Sequence, residues 1–281
     1  MMNNINADLH CHSVQSDGTL TPEFLAQRAH RNGVELWSLT DHDVISGQVR
    51  AQQAASDLGM KYLGGVEISI SWAGQTIHIV GLGINPHNEQ LVEGLRKTRD
   101  GRTDRGRAIA AQLGAVGIEN SYEGALTYAG NPELLSRTHF ARFLVQEGIC
   151  KNTEDVFKNY LVEGKPGYIP HLWATLEESV TWIKDAGGVA VIAHPGRYKL
   201  TELQKHALYE EFKEDGGLAI EVVTGSHTPA QFEEYAKIAL KYGFLASRGS
   251  DFHDPAESFV DLGTLPQLHS SLKPVWSLFQ L

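Results

Sequence analysis

Asp8-Leu9-His10-Cys11-His12-Ser13 is the stretch on which the reading of this chain turns. It closes the short apolar run of residues 5–9 and carries two imidazoles one residue apart. Side chains alternate across a β-strand, so His10 and His12 face the same side. Two neutral imidazoles converging on one point are ligands for a divalent metal ion. A single His-x-His is weak, but the same event recurs along the chain. Hydrophobic runs give way to Thr40-Asp41-His42-Asp43, Gly65-Val66-Glu67, His78, His194-Pro195-Gly196-Arg197 and Gly249-Ser250-Asp251-Phe252-His253, and Asp17 follows the first motif.

The runs themselves read as strands, at residues 5–9, 35–40, 61–66, 77–82, 189–193, 218–223 and 244–247. Most lack alternation, as strands covered on both faces do. Helix signals lie between several of them. Thr21-Pro22-Glu23 opens a helix that Gly33 closes, and Thr175-Leu176-Glu177-Glu178 opens one that runs to Gly187-Gly188. Thr228-Pro229-Ala230-Gln231 opens another, ending before Gly243. Strand, loop, helix, strand is the order of a parallel β/α barrel, and about seven strands predict an incomplete or distorted one.

Residues 99–173 break that alternation. The barrel is therefore expected over 1–98 and 174–281, with 99–173 as a helical insertion subdomain capping the active site. The insertion is entered through the charged segment 95–113, which holds Arg96, Lys97, Arg99, Arg102, Arg105 and Arg107. Helix-like segments at 137–146 and 153–161 follow, then Gly164-Lys165-Pro166-Gly167-Tyr168.

Composition narrows the function classes. The 281 residues are 42% hydrophobic, enough for a sizeable core, and the formal charge is -10. An acidic surface gives no electrostatic footing for duplex DNA or an anionic membrane. Two widely spaced cysteines suggest no disulfide framework. No window reaches transmembrane length, and Met1–Asn6 lacks a basic stretch followed by an apolar run. A cytoplasmic protein is expected.

In β/α barrels, functional groups come from the C-terminal ends of strands and the loops after them. By that rule His10 and His12 end the first strand, His42 follows the second and Glu67 ends the third. His78 lies in the fourth, His194 ends the fifth, and Asp251 and His253 follow the seventh. With Asp17 this makes six histidines and three carboxylates. Alone, His78 or His194 reads as a core histidine and Asp251 as a turn cap; jointly they read as ligands. One ion uses roughly four to six donors, so two or three bridged ions suit the set better. Asp41 and Asp43 are placed behind the ligands, orienting His42 or an attacking water, which makes Asp43 a candidate catalytic residue. Asp8 and Cys11 are left outside the ligand set.

These motifs resemble the PHP-domain family, the polymerase and histidinol phosphatase group of metal-dependent phosphoesterases. Ser16-Asp17-Gly18-Thr19 and Arg137-Thr138-His139-Phe140-Ala141-Arg142 are similar to its TrpH-like branch, although Thr138 stands where the branch pattern has proline. That branch includes nucleoside 3′,5′-bisphosphate phosphatases and short-RNA 5′-3′ exonucleases. The resemblance implies a (β/α)7 barrel and a trinuclear centre, often manganese-loaded. One ion would take His10, His12 and Asp251, a second Asp17, His42 and His253, and a third His78 and His194, with Glu67 bridging.

A cluster of divalent ions makes hydroxide available near neutral pH and neutralises phosphate oxygens in the transition state. Mixed histidine and carboxylate donors suit Mn2+ first, with Zn2+ or Fe2+ as alternatives, over Mg2+. Arg197 is expected to clamp the reacting phosphate as a catalytic and substrate-binding residue. Arg137, His139 and Arg142 are expected to supply a second anion site. Two anion sites favour a nucleoside 3′,5′-bisphosphate such as pAp, cleaved to AMP and phosphate. Short 5′-phosphorylated RNA would be broken at the same bond to the 3′ oxygen. The alternatives are a histidinol-phosphate-type phosphomonoesterase and a catalytically inactive PHP structural module.

Overall fold

The structure, a computed structural model, describes residues 5–171 and 173–280. Met1–Asn4, read above for a leader, lie outside the described residues. Strands β1 (Ala7–Asp8), β2 (Leu36–Trp37) and β3 (Lys61–Tyr62) form a parallel sheet in that order. Strands β4 (Gly65–Trp72), β5 (Gln75–Leu82), β6 (Val189–Ile192), β7 (Ala219–Thr224) and β8 (Leu245–Gly249) form a second sheet, again in chain order. Its β6–β7 and β7–β8 pairs are parallel, but β4–β5 and β5–β6 are antiparallel.

The all-parallel expectation is thus corrected in the middle of the chain. Residues 61–66 divide between β3 and β4, and no helix separates β4 from β5. Ala73 (φ 46°) and Gly74 (φ 76°) join them in a two-residue hairpin turn. Positive φ at both central positions matches the right-handed twist of the flanking strands. Glu67 therefore sits near the start of a long strand, not at the end of one, and His78 lies opposite Ser69 across the hairpin.

Backbone bonds tie the two sheets at both margins. On one side Leu9 N donates to Arg248 O (3.0 Å), Asp251 N to His10 O (2.8 Å) and His12 N to Phe252 O (2.9 Å). On the other, Glu67 N donates to Asp41 O (3.2 Å) and Asp43 N to Glu67 O (2.8 Å). These links draw the segments after β1, β2 and β8 onto the same region as β4.

The helices are α1 (Pro22–Arg31), α2 (Gln48–Asp57), α3 (Glu89–Gly114), α4 (Ser121–Leu126), α5 (Arg137–Gln146), α6 (Thr153–Val156), α7 (Leu176–Asp185), α8 (Glu202–Glu214) and α9 (Pro229–Tyr242). Their starts are where the capping chemistry puts them. Thr21 Oγ1 accepts from Phe24 N ahead of Pro22, and Thr175 and Thr228 each close a reciprocal capping box. Gly243, at φ 74°, ends α9 in the left-handed region.

Helix α3 runs unbroken across the point where the alternation stops. Its first turns bury Leu91 and Leu95 in the main core with β4–β8 and α7. Its last turns bury Ile109 and Leu113 in a separate core with Phe140, Leu144, Val156 and Leu161. Phe140 is fully buried there, so Phe140→Ala would cost roughly 3–5 kcal/mol. Among the described residues, no helix is long and apolar enough to cross a membrane.

Candidate metal centre and substrate cleft

His10 and His12 are fully buried just after β1. Their approach to β8 depends on Gly249, where an added Cβ would stand 2.3 Å from His10 Cβ. The two Nε2 atoms face each other at 3.2 Å. Asp251 Oδ1 lies 3.5 Å from His10 Nε2 and 3.3 Å from His12 Nε2. Glu67 stands at the centre of the whole group. It lies 3.3 Å from each of those Nε2 atoms and 2.9 Å from His42 Nδ1, His78 Nδ1 and His194 Nε2. Asp17 Oδ1 is 3.4 Å from His253 Nε2, 3.8 Å from His12 Nδ1 and 4.0 Å from His42 Nε2. Two residues of the group, His194 (φ 27°) and Asp251 (φ 55°), hold a backbone conformation costly for non-glycine residues.

The charge balance follows from that crowding. Burial alone would raise the Glu67, Asp17 and Asp251 carboxyls, but the surrounding imidazoles hold all three well below the carboxylate range. Burial together with its histidine neighbours pushes His12 down to about 3, and burial with Arg197 does the same to His194. Burial also opposes the charged form of His42, yet Glu67 and Asp17 lift it to about 9. Ionised carboxylates beside the neutral rings of His12 and His194 form a donor set for divalent cations, and a cation bound there would displace the proton that the carboxylates otherwise hold on His42. Further, His12 Nδ1 and Asp17 Oδ1 are buried without a hydrogen-bond partner. At most one shared proton could satisfy the facing His10 and His12 nitrogens. The residues fit metal ions, and four overlapping groupings can each hold one: His10, His12 and Asp251; His12, Asp17, His42 and His253; His10, Glu67 and His194; and His42, Glu67 and His78.

The other wall of the cleft is cationic. Arg102, Arg105 and Arg137 line it with Ser136, Thr138, Phe157 and Trp173, and Arg197 borders the same space. Arg102 and Arg105 lie over the Trp173 ring at 4.7 and 5.4 Å. Arg105 Nε donates to Ile169 O (3.1 Å), and Arg137 Nη1 to Leu161 O (3.1 Å). Burial, and then repulsion from Arg137 and Arg102, bring Arg105 down to about 9. Half-buried guanidiniums that repel one another form a site for an anion.

The family model described as the PHP domain matches residues 8–224. The chain belongs to the PHP-domain family. It is 46% identical over 271 residues to a 3′,5′-nucleoside bisphosphate phosphatase of Chromobacterium violaceum, covering 96% of this chain and 95% of that one. It is 39% identical to a 5′-3′ exoribonuclease of Haemophilus influenzae, covering 97% and 98%. A solved structure of an amidohydrolase from Chromobacterium violaceum, with bound sulfate and no metal, superposes with a TM-score of 0.95 at 46% identity, over 97% of this chain and 95% of that one.

Within this PHP chain, the expected ligands His10, His12, Asp17, His42, Glu67, His78, His194, Asp251 and His253 come together around one point. Four other expectations change. Asp43 is buried behind the ligands, with its carboxylate accepting from Ser69 N (2.8 Å) and Ser69 Oγ (3.0 Å) and paired to Arg102. Both oxygens are engaged and the side chain is fully enclosed, so Asp43 holds Arg102 and does not line the cleft. Arg142 is spent on Glu257 (2.9 Å) and the Asp17 carbonyl (2.8 Å), so it does not reach the cleft. His139 is buried and accepts from Ser136 N (3.0 Å), capping α5, and burial holds it down at about 4. Neutral and enclosed, it offers no charge to an anion. Asp41 accepts from Ser13 N, Ser13 Oγ and Ser16 Oγ, bracing the loop after β1 instead of turning toward His42.

Arg137 and Arg197 do line the cleft; Arg197 is half-exposed and donates to Asp251 Oδ2 (2.9 Å). Asp8 and Cys11 stay outside the cluster. Asp8 accepts from Ser250 N and Gly263 N, and Cys11 Sγ lies against Trp37 Nε1. Three contributors had gone unassigned. Arg102 and Arg105, three apart on α3, share a helix face, which their spacing made visible. Glu221 stands alone inside the apolar run of β7, and a lone carboxylate there was the available signal.

Proposed function

We propose that this PHP-domain protein is a metal-dependent phosphoesterase that removes the 3′-phosphate of nucleoside 3′,5′-bisphosphates, converting pAp to AMP and phosphate. The observation that carries this reading is one cleft in which seven of the nine donors, with His10 and His12 buried behind them, share the lining with Arg102, Arg105 and Arg137. A substrate with two phosphates on one ribose presents one anion to each wall. Short 5′-phosphorylated RNA fits the same walls, since its 5′ end also carries a phosphate one ribose away from the bond to be broken. The names of the two relatives agree with both substrates.

In this reading His10, His12 and Asp251 hold one ion, Asp17, His42 and His253 a second, and His78 and His194 a third, with Glu67 between them; manganese is favoured, ahead of zinc or iron. Divalent ions there would supply Lewis-acid stabilisation of the phosphoryl oxygens and a water of lowered pKa. Glu221 fixes the tilt of His10, and Arg197 holds Asp251 while presenting its remaining N–H groups to the phosphate. Arg105 and Arg137 hold the 5′-phosphate, and Arg102, neutralised by Asp43, packs over Trp173 and shapes the floor beneath them.

The links at the two sheet margins support reading the strands as a distorted (β/α)7 barrel, with β3 as a spur. The separate core supports 99–173 as an insertion over its mouth. Two unpaired thiols suit the reducing cytoplasm.

Phosphate release by the manganese-loaded protein from pAp, 3′-AMP, 5′-AMP and histidinol phosphate tests the proposal. The expected result is a kcat/KM for pAp at least about tenfold above the others, reflecting the second anion site. Parity between pAp and histidinol phosphate would overturn it in favour of a simple phosphomonoesterase.

A further inference from the structure

Two grooves lead out of the cleft, and they share no wall residue. The first continues past Thr76, Arg105 and Arg137 toward Tyr168 and His171. The second leaves past Thr138, Phe157, Arg197 and His253 and reaches Ser226, Ser258 and Phe259. Beyond Phe259 and Val260 lies a further groove walled by Phe232 and Pro266. Phe259 stands where these last two meet, and its side chain is 96% exposed.

A scattered exposed apolar residue needs no explanation. The position of this one does. When RNA is cut at the bond to a 3′ oxygen, water forms a new bond to phosphorus and the P–O3′ bond breaks. The departing 3′ oxygen takes up a proton, and the phosphate stays on the 5′ oxygen of the second nucleotide. That second nucleoside must leave the donor cluster by a route other than the one holding the first nucleotide's 5′-phosphate. Arg105 and Arg137 assign the first groove to that phosphate, which leaves the second groove for the downstream nucleotide. Past Arg197 the second route carries no lysine or arginine among its described lining residues, and it carries Glu257 and Asp261. It offers backbone phosphates no attraction. What it offers is an aromatic face and small hydroxyls, which is how single-stranded bases are held without sequence preference.

We propose that Phe259 is the stacking platform for the second base of a short 5′-phosphorylated RNA, and so the residue that sets RNA against bisphosphate. This rests on the function proposed above. The test is the ratio of kcat/KM for the dinucleotide pApA to that for pAp, measured on the manganese-loaded protein. Phe259→Ala is expected to lower that ratio about tenfold and Phe259→Trp to preserve it, as loss and retention of one base stack predict. A dinucleotide with 2-aminopurine at its second position should be quenched on binding the wild-type protein and not on binding F259A. An unchanged ratio in F259A, or a wild-type protein that hydrolyses pAp but leaves pApA intact, would overturn the inference alone. Failure to hydrolyse pAp at all would remove the bisphosphatase reading, and the inference with it. Because Phe259 is exposed, an unchanged Tm is expected for both variants.

Discussion

Glu221 Oε1 lies 2.7 Å from His10 Nδ1, while its other oxygen accepts from the backbone nitrogen of His194 at 2.6 Å. One buried side chain on β7 thus sets the ring of one donor and the main chain of another. It also turns His10 Nε2 toward the cluster, because the bond at Nδ1 decides which nitrogen is left free.

Replacing Glu221 with Gln should therefore weaken metal binding without removing a ligand. The expected loss of affinity is about 10–100-fold, the range for groups behind the ligands. Competition with a chromophoric chelator measures it. Wild-type affinity in E221Q would show that His10 needs no such support.

Asp43 and Arg102 form a buried ion pair beneath the cleft, with side chains 0% and 6% exposed. Burial favours the neutral acid, but Arg102 holds the Asp43 carboxyl below its ordinary value. Asp43→Asn leaves a buried guanidinium without its counter-charge, at a cost of about 3 kcal/mol in urea unfolding. A general base contributes about 100-fold or more to rate, so kcat of D43N should fall by less than that. A thousandfold loss with unchanged stability would restore Asp43 as a catalytic group.

Arg137→Ala should remove a charged contact to the 5′-phosphate. Charge-assisted bonds are worth about 1.5–3 kcal/mol, so kcat/KM for pAp should drop roughly 10–100-fold. Turnover of p-nitrophenyl phosphate, which has no second phosphate, should stay within a few-fold of wild type. Equal losses on both substrates would place Arg137 at the metals and not at a second anion site.

The donor set was legible because each member sits where an apolar run meets a turn, and such junctions cluster on one rim in β/α folds. The hairpin between β4 and β5 was not. Its signal is the two-residue turn Ala73-Gly74 between the alternating segments 66–72 and 75–79, and that alternation lies outside the two apolar runs, 61–66 and the end of 77–82, that read as parallel strands. Arg142 and His139 misled for a different reason. Their spacing was that of an anion site, but Glu257, which neutralises Arg142, lies 115 residues away. His139 closes its own helix start, a local role that the motif hides. Arg102 showed its charge in the sequence and not its partner, since Asp43 lies 59 residues earlier.

His227 gives the fold a pH dependence separate from the metal donors. It is buried, accepts from Gly196 N (2.9 Å) and is bonded through Nδ1 to Val222 O (3.1 Å). Burial lowers it to about 4, from an ordinary value of 6.5. The folded protein thus keeps the ring neutral while the unfolded chain protonates below about 6.5, and the unfolded state binds more protons in that window. Stability contributed by this group is full above about 6.5 and falls as pH drops toward 4, by on the order of 2–3 kcal/mol. Urea unfolding at pH 7, 6, 5 and 4 should show this, with a shallower slope in His227→Gln. Identical slopes would mean that the ring is protonated equally in both states.

The central claim, a 3′-phosphate on the donor cluster with a 5′-phosphate on the arginines, is tested most directly by following manganese-dependent hydrolysis of pAp in 18O-water by 31P NMR. The account predicts 5′-AMP and labelled inorganic phosphate as the products. Release of 3′-AMP, or label retained in the nucleotide, would contradict it.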